Sequence, residues 1–307
     1  MAIINKERFG IARKIVANMT SESWQDIPHG VVTYEADVTE FLKYCKKLNE
    51  GVTDKSKKIT INTVIMKVIC EGLIAAPKMN CTLHFEKRLV RGTLTYHDTI
   101  DISMPTILKT NEMMTITMHD MGNKTLSEMT AHINDKIRRA NNSDMNEVMF
   151  EVSLANTLTG LKNGHVVQTV NRLIGSKMPG KHQVHTLHGK KKKEYYAIPD
   201  TERLTKYDIE QGTTTISNLG SVYREHKGEC TLLEIIPPQT TAFAVGATQK
   251  RPTVVTDKND EDKIEIRQIL PITIAIDHRS LDYGDMVPFM RRLDEIFANP
   301  EVVLTWK

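Results

Sequence analysis

Two periods of apolar positions alternate along the chain and lay out its elements. Phe9, Ile11, Ile15, Val16 and Met19, set among lysines and arginines, predict a helix over residues 5–19, with Ser21 and Ser23 in the turn after it. Residues 30–38 (GVVTYEADV) alternate as a half-buried strand. Thr39 is placed to cap a helix ending near Asn49 and Gly51, with Phe41, Leu42, Cys45 and Leu48 on one face. Thr60 opens a longer helix that runs to Pro77. Its apolar residues, Ile61, Val64, Ile65, Val68, Ile69, Leu73 and Ile74, go most of the way round, which predicts burial. Residues 81–118 read as short strands, broken at Gly92 and at Asn111-Glu112. Thr125 and Glu128 form a capping box before a helix to about Ala140, facing inward with Leu126, Met129, Ile133 and Ile137. Thr213 to Ile216 is a β-branched strand, and Ile269 to Ile276 a buried one. The last helix carries Met286, Phe289, Met290, Leu293, Ile296 and Phe297 on one face. Asp285 is its expected N-cap, and Pro288 then falls in the first turn.

The bulk numbers narrow the classes. With 307 residues, 40% hydrophobic and 26% charged, the chain has enough apolar material for a core. A net charge of +3 is too small to argue for nucleic acid. No apolar run approaches the roughly 18 residues of a membrane span, and residues 1–10 lack the apolar core of a signal peptide. Cys45, Cys70, Cys81 and Cys230 show no CxxC spacing, so a reduced, cytoplasmic setting is expected. Residues 141–210 carry the weakest pattern. An apolar part (residues 148–161) gives way to GSKMPGKHQVHTLHGKKKKEYY. Its lysines read as a solvated surface, because nothing else is basic on a matching scale. His182, His185 and His188 have no carboxylate or cysteine to complete a ligand set, so no metal is expected. A lid over a substrate entrance is the better reading of this stretch.

The chemistry concentrates at two strand ends. His278 follows the buried strand directly, between Asp277 and Arg279, with Asp282 four residues on. A bare histidine there is a salt-bridged surface residue or a proton carrier. Ser217, at the end of TTTIS, is by itself a turn former. Neighbouring letters decide between these readings. DHRSLDYG (277–284) resembles the DHRxxDG signature of the acyltransferase core of 2-oxo acid dehydrogenase complexes, and chloramphenicol acetyltransferase carries the related HHxxxDG. TISNLG (215–220) resembles the same family's FTISNLG, and IIPPQTTAFAVG (235–246) its IINPPQxAILAVG. Weaker similarity at EADVTEFL and PKMNCTL extends the resemblance over nearly the whole chain except residues 141–210. One position departs: Tyr283 stands where the family has glycine, and glycine comes one place later at Gly284.

The resemblance implies an α/β (α+β sandwich) fold of the chloramphenicol acetyltransferase type, a mixed β-sheet packed by helices. It implies a single catalytic domain over 1–307 with an insertion or lid at about 141–210, and homotrimers with active sites between subunits. The apolar end, PEVVLTWK, resembles the segment that knits family trimers into larger shells. By the same resemblance His278 is the general base and Ser217 the oxyanion donor. Asp282 braces the loop, with Arg13 as the candidate for its ion pair, and Asn218 and Tyr283 are candidate substrate contacts. Coenzyme A is the expected co-substrate, with no metal and no lipoyl group on this chain. The favoured reading is a stand-alone acyl-CoA-dependent acyltransferase acting on a small hydroxyl, amine or thiol acceptor. A dihydrolipoamide acyltransferase core served by a separate lipoyl carrier is the second reading, and a non-catalytic assembly protein of the same fold the third. Tyr283 favours the first or third over the second.

Overall fold

The computed structural model describes residues 4–6, 8–107, 113–162, 170, 186–231 and 233–307. Asn111-Glu112, His182 and His185 lie outside these. The chain divides into two compact units. The first comprises Met1–Glu22, Thr106–Ile116 and Asp135–Glu210; the second comprises Ser23–Pro105, Thr117–Asn134 and Gln211–Lys307.

The larger sheet is centred on β9 (Asp262–Asp277). β9 pairs antiparallel with β1 (His29–Asp37), β7 (Thr241–Val245) and β8 (Gln249–Thr256). Beyond β7 lie β6 (Thr214–Asn218) and β4 (Ile102–Ile107), both in parallel pairing. β5 (Met113–Met118) completes the order β1-β9-β7-β6-β4-β5. β2 (Cys81–Glu86) and β3 (Arg91–Tyr96) form a separate hairpin. The burial of β9 follows from composition: residues 269–276, a largely apolar run, are buried one after another, as in a strand covered on both faces.

Two helices cover this sheet. α3 (Ile61–Ala75) is capped by Thr60, whose hydroxyl accepts from Thr63 N, and it is buried nearly all round between Thr63 and Leu73, while Ile61 and Ile74 at its ends are exposed. It packs on α8 (Tyr283–Ala298), whose Phe289 ring stacks on Phe243 of β7 at 5.2 Å. The helices meet at Gly72, where a Cβ would stand 2.5 Å from the Phe289 ring and 2.9 Å from Leu293 Cδ1. Lys67 is buried here. Its ammonium donates to Gly122 O and lies 3.4 Å from Glu71, which accepts from Arg292 of α8. We expect Gly72→Ala to destabilise the fold by about 1–3 kcal/mol, because both neighbours are buried and the ring has no open side to move into. A urea titration reads this directly; an unchanged midpoint would refute the close contact.

The first unit contains α5 (Met145–Lys162) and α6 (Gly189–Tyr196), within the stretch the sequence left unpatterned. Polar contacts organise it. Asp208 is buried against the Lys136 ammonium and against Arg139 at 2.6 Å. Burial alone would raise the Asp208 carboxyl. The Lys136 ammonium and the Thr205 N–H outweigh it and hold the group below the usual carboxylate range. Arg203 pairs with Asp200 at 2.6 Å and covers the rings of Tyr195 and Tyr196. Such a centre leaves little apolar periodicity to read. The four lysines of α6 are solvent-facing or half-buried at its N-terminal end, and His188 is exposed just before them.

Several local expectations shift. α1 spans Ile11–Asp26, so Ser21 and Ser23 lie within the helix, and Pro28 rather than serine stops the segment. α2 (Phe41–Lys47) has Glu40 at its N-cap. Thr39 instead donates its hydroxyl to Asp37 Oδ1 at 2.6 Å, a local bond that outcompetes capping. α4 (Leu126–Asn141) begins with the expected box: Thr125 N donates to Glu128 Oε2 and Glu128 N to Thr125 Oγ1. α8 starts earlier than expected, with Asp282 as N-cap and Pro288 inside the helix. Asp285 still serves that terminus from the third helical position, accepting from Asp282 N at 3.0 Å.

Candidate active site

The turn after β9 is wrapped around one buried carboxylate. Asp277 is fully buried and accepts from Arg279 N at 2.9 Å and from the Arg279 guanidinium at 2.6–3.2 Å. Its carbonyl accepts from Ser280 N, Ser280 Oγ and Leu281 N. Arg279 lies over the Phe85 ring at 5.5 Å, a cation–π contact. Asp277 N donates to Thr240 O and His278 N to Pro28 O, so the backbone of the turn is held on two sides. His278 itself projects outward, 54% exposed at its side chain. Its Nδ1 lies 3.3 Å from Asp282 Oδ1, and its Nε2 has no partner among the described residues. Lys78 and the Asp282 N–H hold Asp285 next to this pair, the N–H more strongly, keeping its carboxyl below the usual range.

The serine stands at the other end of the sheet. β6 ends at Asn218, whose Oδ1 accepts from Ser221 N to start the short α7 (Leu219–Val222). Gly220 lets that turn press on β7: a Cβ there would stand 2.4 Å from Gly246 O. The Ser217 side chain is half-buried, and its hydroxyl has no partner among the described residues. Register gives its distance from His278. Ser217 is level with Ala244 of β7, and Ala244 with Thr273 of β9. Two inter-strand steps and five residues along β9 then separate the two side chains, roughly 19 Å between Cα atoms. A single chain does not bring them together.

The other expected site residues fall as follows. Asn218 has both ends of its amide occupied, Oδ1 by the α7 cap and Nδ2 by Asn62 Oδ1 at 2.8 Å. Tyr283 is the first residue of α8 and 58% exposed. Helical backbone at that position suits any ordinary residue, so the missing glycine costs the turn nothing, and a Cβ at Gly284 would meet nothing within 4 Å. Arg13 is exposed on α1, in the first unit. Sequence reasoning missed Pro28, which holds the His278 amide, and Phe85 beneath Arg279. Neither carries a periodic signal.

The chain is similar to known proteins along most of its length. A family model described as the 2-oxoacid dehydrogenases acyltransferase (catalytic domain) matches residues 4–154 and 190–305. The unmatched stretch falls inside the expected insertion at 141–210. Among curated relatives, the dihydrolipoyllysine-residue acetyltransferase component of the pyruvate dehydrogenase complex of Rickettsia felis is 22% identical over 293 residues, 95% of this chain and 53% of that protein. The Zymomonas mobilis counterpart is 22% identical over 300 residues, 98% of this chain and 51% of that one. The chain thus spans about half the length of these relatives. Among solved structures, the Azotobacter vinelandii dihydrolipoamide acetyltransferase superposes with a TM-score of 0.66 at 16% identity, over 98% of this chain and 94% of that one. A cubic core of the pyruvate dehydrogenase multienzyme complex gives 0.65 at 14% identity, with the same coverages. These structures share the fold described above.

Proposed function

Because the chain belongs to the family of 2-oxoacid dehydrogenase acyltransferase catalytic domains, we propose that it moves an acyl group between coenzyme A and a dihydrolipoyl thiol. This reverses the order of readings drawn from the sequence, where a small-molecule acceptor came first. Two things support the change. The curated relatives are dihydrolipoyllysine-residue acetyltransferases, and Tyr283, the residue that argued for another acceptor, sits where α8 begins and demands no different backbone.

The reading is carried by His278, an imidazole with one ring nitrogen beside Asp282 and the other uncommitted among the described residues. An imidazole suits proton exchange near neutral pH. His278 Nε2 takes the proton of the attacking thiol as its sulfur bonds to the acyl carbon. The Ser217 hydroxyl donates to the carbonyl oxygen as negative charge develops there. When the original C–S bond breaks, the protonated His278 returns the proton to the departing sulfur. Asp282 braces the ring and the turn and takes no proton. Coenzyme A enters as a substrate whose thiol or thioester these residues handle.

A separation of roughly 19 Å supports a site shared between copies, with His278 from one working with Ser217 from the next in a ring such as a trimer. The exposure of His278 fits this, since a base working against a thioester needs water excluded by something that a single chain does not supply.

Acetyl-CoA offered with dihydrolipoamide, and separately with hydroxyl and amine acceptors, tests the acceptor. Chromatography of the acetylated product should show dihydrolipoamide as the working acceptor. Turnover confined to a hydroxyl or amine would restore the small-molecule reading, and none with any acceptor would leave the assembly role.

A further inference from the structure

We propose that His29 is a positioning residue for the reaction, tying together the two backbone segments that hold His278. The inference rests on the reading of His278 as the base.

The His278 turn hangs from two carbonyls. Asp277 N donates to Thr240 O at 2.8 Å, and His278 N donates to Pro28 O at 2.9 Å. One carbonyl belongs to the loop that enters β7, the other to the residue just before β1. The imidazole of His29 joins these supports. Its Nε2 accepts from Ile235 N, at the start of the loop leading to Thr240, at 3.1 Å. A main-chain N–H can only donate, so Nε2 carries the lone pair and the ring proton sits on Nδ1. With that tautomer fixed, the fully buried Ser23 hydroxyl, 3.2 Å from the same Nε2, is a second donor. Protonation at Nε2 would set N–H against N–H and break the tie.

The surroundings leave the tie little freedom. Ile27 and Ile235, one on each side of it, pack into one buried apolar cluster with Ala242 and Ala275. His29 is paired across the ladder with Asp277, and Gly30 with Ile276. The His278 ring itself lies over Gly30, where a Cβ would stand 3.5 Å from its Cδ2. A shift of the 28–30 segment therefore moves both the amide anchor and the floor of the catalytic ring. Displacements near 1 Å at such a base are enough to cost about 10²-fold in rate.

The test compares His29→Phe, which keeps a ring and loses the acceptor, with His29→Gln, whose amide oxygen reaches the same place. His29→Phe should lower kcat for acetyl transfer by about 10- to 100-fold while the KM for coenzyme A stays near the wild-type value. His29→Gln should recover most of kcat. Hydrogen exchange supplies a readout independent of activity: the Ile235 amide should exchange about five- to tenfold faster in His29→Phe and near the wild-type rate in His29→Gln. Full kcat in His29→Phe, equal losses in both variants, or unchanged exchange at Ile235 would each overturn the assignment. Were the wild-type protein inert toward every thiol, the functional reading would fall, and the exchange result would still decide whether His29 makes the tie.

Discussion

His278→Ala should lower the rate of acyl transfer by roughly 10²–10⁴, the contribution of a positioned general base, with no comparable loss of stability. The second half of that expectation comes from the structure. The turn is organised by Asp277, Arg279, Ser280 and Leu281 through backbone and carboxylate contacts, and the His278 side chain supplies none of them. Its ring is more than half exposed, so truncation leaves no buried cavity and no orphaned buried partner. Among the described residues it leaves behind the Asp282 carboxylate, which is itself 81% exposed and screened by water. Loss of activity with an unchanged melting temperature would therefore be a chemical effect. Retained activity would remove His278 from the mechanism, and unfolding would show that the turn relies on the ring.

The elements were more legible than the site. Helices whose apolar stripe faces a covered sheet, such as α3 and α8, can be read from spacing because burial imposes it. Strand β9 can be read because a strand covered on both faces has to be apolar throughout its buried half. Element ends were less legible where two short polar bonds compete. Thr39 could cap α2 or bond to Asp37, and only the tertiary register of Asp37 against Arg267 decides. The start of α8 was misplaced for a related reason. Asp282 and Asp285 are both credible caps, and what separates them is that the Asp277-centred turn ends at Leu281 and leaves Asp282 the first free position. The unit containing α5 and α6 is held by Asp208, Glu147 and Arg203, whose spacing in sequence has no period at all. At the site, the identities of His278 and Ser217 were visible through their motifs. Their separation was not, since no pattern of letters states how far apart two strand ends lie on a sheet.

That separation sharpens the second large effect. Ser217→Ala should cost about 10²–10³ in kcat, the usual consequence of losing one oxyanion donor. Folding should be little affected, because the hydroxyl has no partner within the described residues, and the polar groups just before it are satisfied elsewhere, Thr214 by Thr241 and Thr215 by Gln239. Taken alone, such a loss does not say whose carbonyl the serine serves. Mixing does. If each site takes His278 from one copy and Ser217 from its neighbour, subunits bearing Ser217→Ala and subunits bearing His278→Ala each retain what the other lacks. Random co-assembly in a ring then makes about a quarter of the sites intact, so co-expressed variants should recover about that fraction of wild-type activity although each alone is nearly inert. Recovery requires exchange between chains; if the two groups met within one subunit, every subunit of the mixture would lack one of them and activity would stay at the level of the single variants. A null result with demonstrated mixed assembly would mean that roughly 19 Å is bridged by movement within one chain, and the shared-site proposal would have to give way.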